Sequence, residues 1–397
     1  MWQAAVMGVA SGALAGIGAL WWERRQTAEQ RRAAWESAVT SGPAGQSVLD
    51  EAAAADSVLA ALNPDREVVP FSPLRGADAA AAVQWCDGAG DLRVWRIAGE
   101  AGNGKTRLLL EVQHRVEDRG WRCGWVRRGR ATDAVTAAAL QKEPVLLLVD
   151  DADALPDHQD LAAMLTAVAR TEGDARLRVV LAARDFGGWW GQLREGLDPA
   201  VDARLRPPGR TRLTAWGTTT TDQHQLFEAA LRHYARHFDL APPAITLTGI
   251  TVATPVAELH AAAASAVHHG LTGSVPISTA LQRLFTTEEN WWQTNASHWD
   301  IPYPLPVLQA AITAATLIGA DDRAQFSRRL HCLPGLTTAP ARSRDDLALW
   351  VHQLYAQRGG EWLDPHLPAR LTERYAVACA TSQPALPAAL AAAALTA

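Results

Sequence analysis

Gly99-Glu100-Ala101-Gly102-Asn103-Gly104-Lys105-Thr106 fits the pattern GxxxxGK[ST] at every fixed position. Before it, Leu92-Arg93-Val94-Trp95-Arg96-Ile97-Ala98 reads as a strand, and after it Arg107-Leu108-Leu109-Leu110-Glu111-Val112 reads as a helix. In a strand, glycine-rich loop and helix of this kind, backbone N–H groups turn inward around an anion and the helix adds its positive N-terminal end. Lys105 is one of only two lysines in a chain with 37 lysines and arginines. A lysine retained amid so much arginine points to a need for a compact ammonium, which a planar guanidinium does not supply. The pattern makes Gly99, Glu100, Ala101, Gly102, Asn103, Gly104, Lys105, Thr106 and Arg107 the expected nucleotide-binding residues. Lys105 would reach the β- and γ-oxygens, and Thr106 would hold Mg²⁺ through its hydroxyl.

A second motif lies about forty-five residues on. Pro144-Val145-Leu146-Leu147-Leu148-Val149-Asp150-Asp151 is an unbroken apolar run closing on two carboxylates, as a buried central strand ending in a site would be. Asp150 is the expected Mg²⁺ ligand, directly or through water, and Asp151 the general base that polarises an attacking water. Acidic residues after a strand also cap helices, a role open to Asp153 and Asp157. A third run, Leu177-Arg178-Val179-Val180-Leu181-Ala182-Ala183-Arg184-Asp185, delivers Arg184 to the same edge of the sheet. There Arg184 would sense the γ-phosphate and share its charge, or else pair with Asp185 or a neighbouring loop. The expected catalytic set is therefore Lys105, Asp151 and Arg184, with Thr106 and Asp150 on the metal.

At 397 residues and 48% hydrophobic content the chain has room for two or three domains with real cores. Its net charge of −5, with arginines scattered among carboxylates, offers no clear nucleic-acid surface. Cys86, Cys123, Cys332 and Cys379 lie far apart without a CxxC or Cys/His cluster, which points to free thiols.

Strands and helices alternate from Val68 onward, the pattern of a parallel sheet covered on both faces. Expected strands are Leu92 to Ala98, Cys123 to Arg127, Val145 to Val149, Leu177 to Ala183 and Arg212 to Trp216. Beyond Thr221 helices take over, with Pro302, Pro304 and Pro306 marking a further joint. Trp2 to Trp22 carries no charge over about twenty residues, long enough to cross a bilayer core of roughly 30 Å. Flanking tryptophans and Arg24, Arg25, Arg31 and Arg32 predict a single-pass anchor with a cytoplasmic C-terminal side, the alternatives being a cleaved signal peptide and an apolar helix buried by a partner chain. Gly8, Gly12 and Gly16 at intervals of four put a self-association face on that span.

These stretches together resemble the signal-transduction ATPases with numerous domains, the STAND class of P-loop NTPases that includes NB-ARC and NACHT proteins, in a form similar to those of actinobacteria. The resemblance rests on GEAGNGKTRL at 99–108, LLLVDD at 146–151 and VVLAARDFGGWW at 179–190. Its strand-terminal arginine resembles the sensor arginine of that class. Val69-Pro70-Phe71 and Leu74-Arg75-Gly76 resemble the segment that packs near the adenine, with the usual Gly-Arg order reversed. Thr254-Pro255 stands where the class has GxP, without the glycine. The stretch around Trp362-Leu363-Asp364-Pro365 matches the close of a winged-helix domain, whose histidine, His331 here, lacks the motif that contacts a β-phosphate in relatives.

The residues themselves give the expected transmembrane helix at 1–22 and a juxtamembrane helix and linker at 23–67; the resemblance, which covers roughly Val68 to Tyr375, implies an α/β nucleotide-binding domain at 68–218. A helical lid at 219–301, a winged-helix-like domain at 302–383 and an alanine-rich tail at 384–397 complete the expected order. Together with the apolar stretch, it implies a membrane-anchored switch, closed with ADP and associating with ATP and Mg²⁺, reset by slow ATP hydrolysis, self-associating and answering to a separate sensor or effector protein. An AAA-type ATPase that remodels a protein or nucleic acid at the membrane is the alternative. A degenerate domain holding nucleotide for structure alone is a third reading, opposed by intact Lys105, Asp150 and Asp151.

Overall fold

The computed structural model describes residues 28–42, 58–88, 93–154, 158–170, 177–205, 210–213, 219–354, 362–363 and 369–396. At its centre is a six-stranded sheet in the order β1-β3-β4-β5-β2-β6. The strands are β1 (Val39–Thr40), β2 (Val94–Ala98), β3 (Arg122–Val126), β4 (Val145–Val149), β5 (Leu177–Ala183) and β6 (Arg210–Arg212). All neighbours pair in parallel except β1, which runs antiparallel to β3 at one edge. The α/β class with a parallel sheet is therefore as the sequence implies.

Side-chain alternation along the strands divides the core. Val145, Leu147 and Val149 of β4 and Val179 and Leu181 of β5 pack on one face, under the helices Ala131–Ala139 and His158–Arg170. Leu146, Leu148, Val180 and Ala182 pack on the other, under the helices Gly76–Asp87 and Lys105–Glu117. A central strand buried on both faces has no polar side to show, which is why β4 reads as five consecutive apolar residues. Each such aliphatic side chain contributes about 1.5–3 kcal/mol by leaving water.

Residues 28–38 form a helix, but this helix and β1 belong to the sheet instead of standing apart as a linker. Trp35, Ala38 and Val39 are buried in the same cluster as Val145 of β4, and the Gln113 side chain donates to the Ser41 carbonyl at 3.0 Å.

Beyond the sheet, helices Thr220–His237, Val256–His268 and Ile277–His298 pack together with a short parallel pair, β7 (Ile245–Thr248) and β8 (Gly273–Pro276). Val58, Leu59, Ala61 and Leu62 share this second core. A third core gathers helices Leu305–Ile318, Arg323–Leu330, Ala341–Leu354, Ala369–Ser382 and Leu386–Ala394 around Phe326, Trp292 and Trp350.

One expectation is corrected. No helix among the described residues is long and apolar enough to cross a membrane, so the single-pass placement is not supported. The 22-residue helix Ile277–His298 carries Arg283, Glu288 and Glu289, and the apolar helix Leu305–Ile318 has only 14 residues, about 21 Å of rise. The Trp2 to Trp22 span with its glycines lies outside the described residues, as do residues 43–57 of the expected juxtamembrane segment and Trp216 at the end of the last expected strand.

Candidate functional site

The phosphate-loop pattern sits between β2 and the helix Lys105–Glu117, where β2 lies between β5 and β6. The Gly99 N–H donates to the carbonyls of Ala183 and Arg184, both at 3.1 Å, which hangs the start of the loop on the end of β5. Gly102 and Gly104 both have φ of 81°, a left-handed backbone that glycine adopts without steric cost. Lys105 is buried and its Nζ donates to the Gly99 carbonyl at 2.9 Å, so the ammonium lies folded back over its own loop. Asn103 and Ala101 are buried and Glu100 is exposed.

Because β5 separates β2 from β4, the Walker-type acids approach the loop from two strands away. The Thr106 hydroxyl spans this gap and donates to Asp150 Oδ2 at 2.6 Å. Asp150 also accepts the Asp151 N–H at 3.1 Å on its other oxygen, and Asp151 has a φ of 46°, which turns the chain sharply after β4. Burial first, then the Asp151 charge, pushes the Asp150 carboxyl up to about 7, against the pull of Thr106 and Lys105. Asp153 accepts the Arg184 N–H at 3.1 Å and so ties the ends of β4 and β5 together; Asp157 lies outside the described residues. Asp185 takes the Gly187 N–H at 2.7 Å.

A cavity of about 300 Å³ joins these groups. Gly102, Gly104, Lys105, Thr106, Asp151 and Arg184 line its polar end. Val68, Val69, Phe71, Tyr234, Val256 and His260 line its apolar end. Arg107 holds the two together, ion-paired to Glu67 at 3.0 Å and donating to the carbonyls of Pro64 and Val69, each at 3.4 Å. Burial, with Arg107 and His233 nearby, lowers His260 to about 4, so the imidazole is neutral near pH 7.

The second and third cores close over the loop. The Ala257 N–H, at the start of helix Val256–His268, donates to the Gly102 carbonyl at 3.1 Å. A Cβ on Gly102 would come within 3.0 Å of Arg370 and 3.1 Å of Pro255, so any side chain there would push both away. Buried Glu258 accepts Nε–H bonds from Arg370 and Arg374, both at 2.9 Å on the same oxygen. Glu373 bridges onward, pairing with Arg370 at 3.3 Å and with Arg184 at 2.7 Å.

The structure thus gathers Lys105, Thr106, Asp151 and Arg184 on one cavity, with Asp150 hydrogen-bonded behind it. Arg184 pairs with Glu373, a partner not foreseen from the sequence. His331 is exposed at the end of helix Arg323–Leu330 and does not line the cavity. Sequence reasoning missed Glu258, Arg370, Glu373, Tyr234 and His260. The only signal near them was Thr254-Pro255, which does mark the element that meets Gly102.

The residues fit a magnesium nucleotide. Among the described residues no group of three His, Cys, Asp or Glu side chains could hold a metal alone. A Thr106 hydroxyl beside an Asp150 carboxylate is the sparse set that Mg²⁺ accepts when substrate phosphates and water complete its shell.

Residues 76–194 match the family described as Novel STAND NTPase 5. No curated protein matches the chain. Similar solved structures include the Aeropyrum pernix ORC1 protein in complex with DNA, at 14% identity and a TM-score of 0.39, covering 83% of this chain and 97% of that one. Cdc6p from Pyrobaculum aerophilum is 12% identical with a TM-score of 0.37, covering 87% and 99%. Domain III of the Thermotoga maritima replication initiation protein DnaA is 14% identical with a TM-score of 0.36, covering 57% and 97%. With the family match falling on the segment that holds the loop, both acids and Arg184, the chain carries a STAND-like P-loop NTPase domain.

Proposed function

We propose that the chain is an ATP-driven switch: closed around ADP, it exchanges ADP for ATP, associates through the nucleotide-binding domain, and is reset by slow hydrolysis. The observation that supports this reading is that one cavity is lined by both the sheet domain and the second core, while Pro255 before helix Val256–His268 and Arg370 of helix Ala369–Ser382 both crowd Gly102 of its loop. A ligand shifts a conformational equilibrium only through contacts that differ between the states. A nucleotide here would touch the sheet domain and the second core directly and reach helix Ala369–Ser382 through the loop at Gly102.

In this reading the loop N–H groups and Lys105 bind the phosphates, and Lys105 gives up its bond to Gly99 to do so. Thr106 and Asp150 would hold Mg²⁺, which when bound neutralises charge on the phosphate oxygens. Asp151 orients water and takes its proton. Arg184 contributes positive charge where the terminal phosphate lies. The apolar end, with neutral His260 and Tyr234, accepts an uncharged base.

The test is to purify the chain and measure retained nucleotide, turnover and mass in solution with ADP and with a nonhydrolysable ATP analogue. Larger assemblies with the analogue and slow turnover are expected. Rapid turnover stimulated by added protein or nucleic acid would instead favour a remodelling ATPase, and no uptake of either nucleotide would exclude both.

A further inference from the structure

We propose that Glu373 stands in for a terminal phosphoryl group at Arg184 and thereby sets the site's preference between nucleoside di- and triphosphates. The inference rests on reading the cavity as a nucleotide site.

Arg184 is fixed at its backbone, and its tip is half-exposed and paired with Glu373. Its N–H is held by Asp153 and its carbonyl accepts from Gly99, both at 3.1 Å, so its Cα cannot leave the phosphate loop. Its side chain lines the cavity with Lys105, Thr106 and Asp151 and is 51% exposed. Glu373 Oε1 lies 2.7 Å from Arg184 Nη2. An anionic oxygen thus already sits on an arginine that lines the cavity beside Lys105, Thr106 and Asp151.

The second oxygen of Glu373 accepts from Arg370 at 3.3 Å, so the carboxylate keeps a cationic partner when Arg184 turns away. Arg370 and Arg374 share buried Glu258, so the group contains three arginines and two carboxylates, an excess of one positive charge. That excess suits an added phosphate oxygen. A diphosphate leaves the Arg184–Glu373 pair intact. A triphosphate sets its terminal oxygens in competition with Glu373 for the same guanidinium, and the exchange also loosens helix Ala369–Ser382, whose Arg370 presses on Gly102. Removing the charge at 373 then removes the competitor for triphosphate while ADP, which does not reach Arg184, is bound as before.

The experiment is equilibrium titration of the full chain with Mg²⁺ and either ADP or a nonhydrolysable ATP analogue, for wild type, Glu373→Gln, Arg184→Gln and the double variant. Glu373→Gln should tighten the analogue by about five- to fiftyfold relative to ADP, a usual size for coupling between sites. Arg184→Gln should abolish that gain, so that the double variant matches Arg184→Gln alone. Glu373→Asp, which keeps the charge on a shorter arm, should shift the ratio in the same direction by less. Equal tightening of both nucleotides, or a gain that persists without Arg184, would overturn the role of Glu373. Failure of wild type to bind either nucleotide would overturn the nucleotide reading itself.

Discussion

The Thr106 hydroxyl and Asp150 Oδ2 meet at 2.6 Å across 44 residues of chain, joining the start of the phosphate-loop helix to the end of a strand two positions away in the sheet. The bond needs a hydroxyl that can donate to a carboxylate now and accept a cation later. Thr106→Ser should therefore retain Mg²⁺-dependent nucleotide binding. Thr106→Ala should lower nucleotide affinity about tenfold in Mg²⁺ and leave it unchanged in EDTA, the order of loss seen when a metal site's supporting groups are removed. Calorimetry with and without the metal separates the two; a loss of equal size in EDTA would place Thr106 on the phosphate and not on the cation.

Lys105 is enclosed, with its ammonium on the Gly99 carbonyl. Removing a charge-assisted donor of this kind costs about 1.5–3 kcal/mol, so Lys105→Ala should weaken ADP binding roughly ten- to hundredfold. Lys105→Arg should fail similarly, since a planar fork with five donors does not fit where one compact group is buried. A fluorescent ADP analogue reports both. Full binding by the arginine variant would mean that charge alone suffices.

Asp151 lines the cavity, while Asp150 is held by Thr106 and by the Asp151 N–H. That division of labour supports the proposed role of Asp151 in proton transfer. Asp151→Asn should keep affinity for the ATP analogue within about threefold and reduce turnover by about 10²–10⁴, the range that a positioned base contributes. Turnover at wild-type rate would move the base elsewhere.

The fold core was legible because β4 and β5 are buried on both faces and show unbroken apolar runs, and the loop was legible because its chemistry dictates its glycines. β1 has two residues, too few for any period to appear, so its place beside β3 could not be read. Ile245-Thr246-Leu247-Thr248 does alternate, but its partner Gly273-Ser274-Val275-Pro276 has a turn-like composition. The pairing of Glu373 with Arg184 leaves no trace in sequence, since a contact between distant surface charges imposes neither period nor motif. The apolar stretch Trp2 to Trp22 is the opposite case: hydropathy gave it a strong local reading, and none of the helices described supplies a membrane span.

Glu258 holds two arginines on a side chain only 3% exposed, whereas both arginines are 38% exposed. Breaking a fully buried ion pair costs about 3–5 kcal/mol. Here Arg370 keeps Glu373 and both arginines can turn to water, so Glu258→Ala should destabilise the chain by roughly 2–3 kcal/mol, and Glu258→Gln, which keeps an acceptor, by less. Glu373→Gln, at a more exposed pair, should cost under about 1 kcal/mol. Urea denaturation distinguishes these values. Equal losses at 258 and 373 would show that burial does not order the network.

His260 makes stability depend on pH. Burial chiefly, assisted by the positive Arg107 and by His233, depresses its folded value to about 4 from 6.5. Between those values the unfolded chain binds a proton that the folded chain refuses, so stability is complete above pH 6.5, falls as pH drops, and levels off below about 4. Tyr234, packed edge-on at 6.3 Å, offers no charge to compensate. From pH 7.5 to 5 the contribution is about 2 kcal/mol. His233 and His268 are lowered by burial in the same direction and add to the slope. His260→Gln should therefore flatten the profile of unfolding free energy in this window without abolishing it. An unchanged slope in that variant would mean that the imidazole at 260 is protonated as readily in the folded chain as in water.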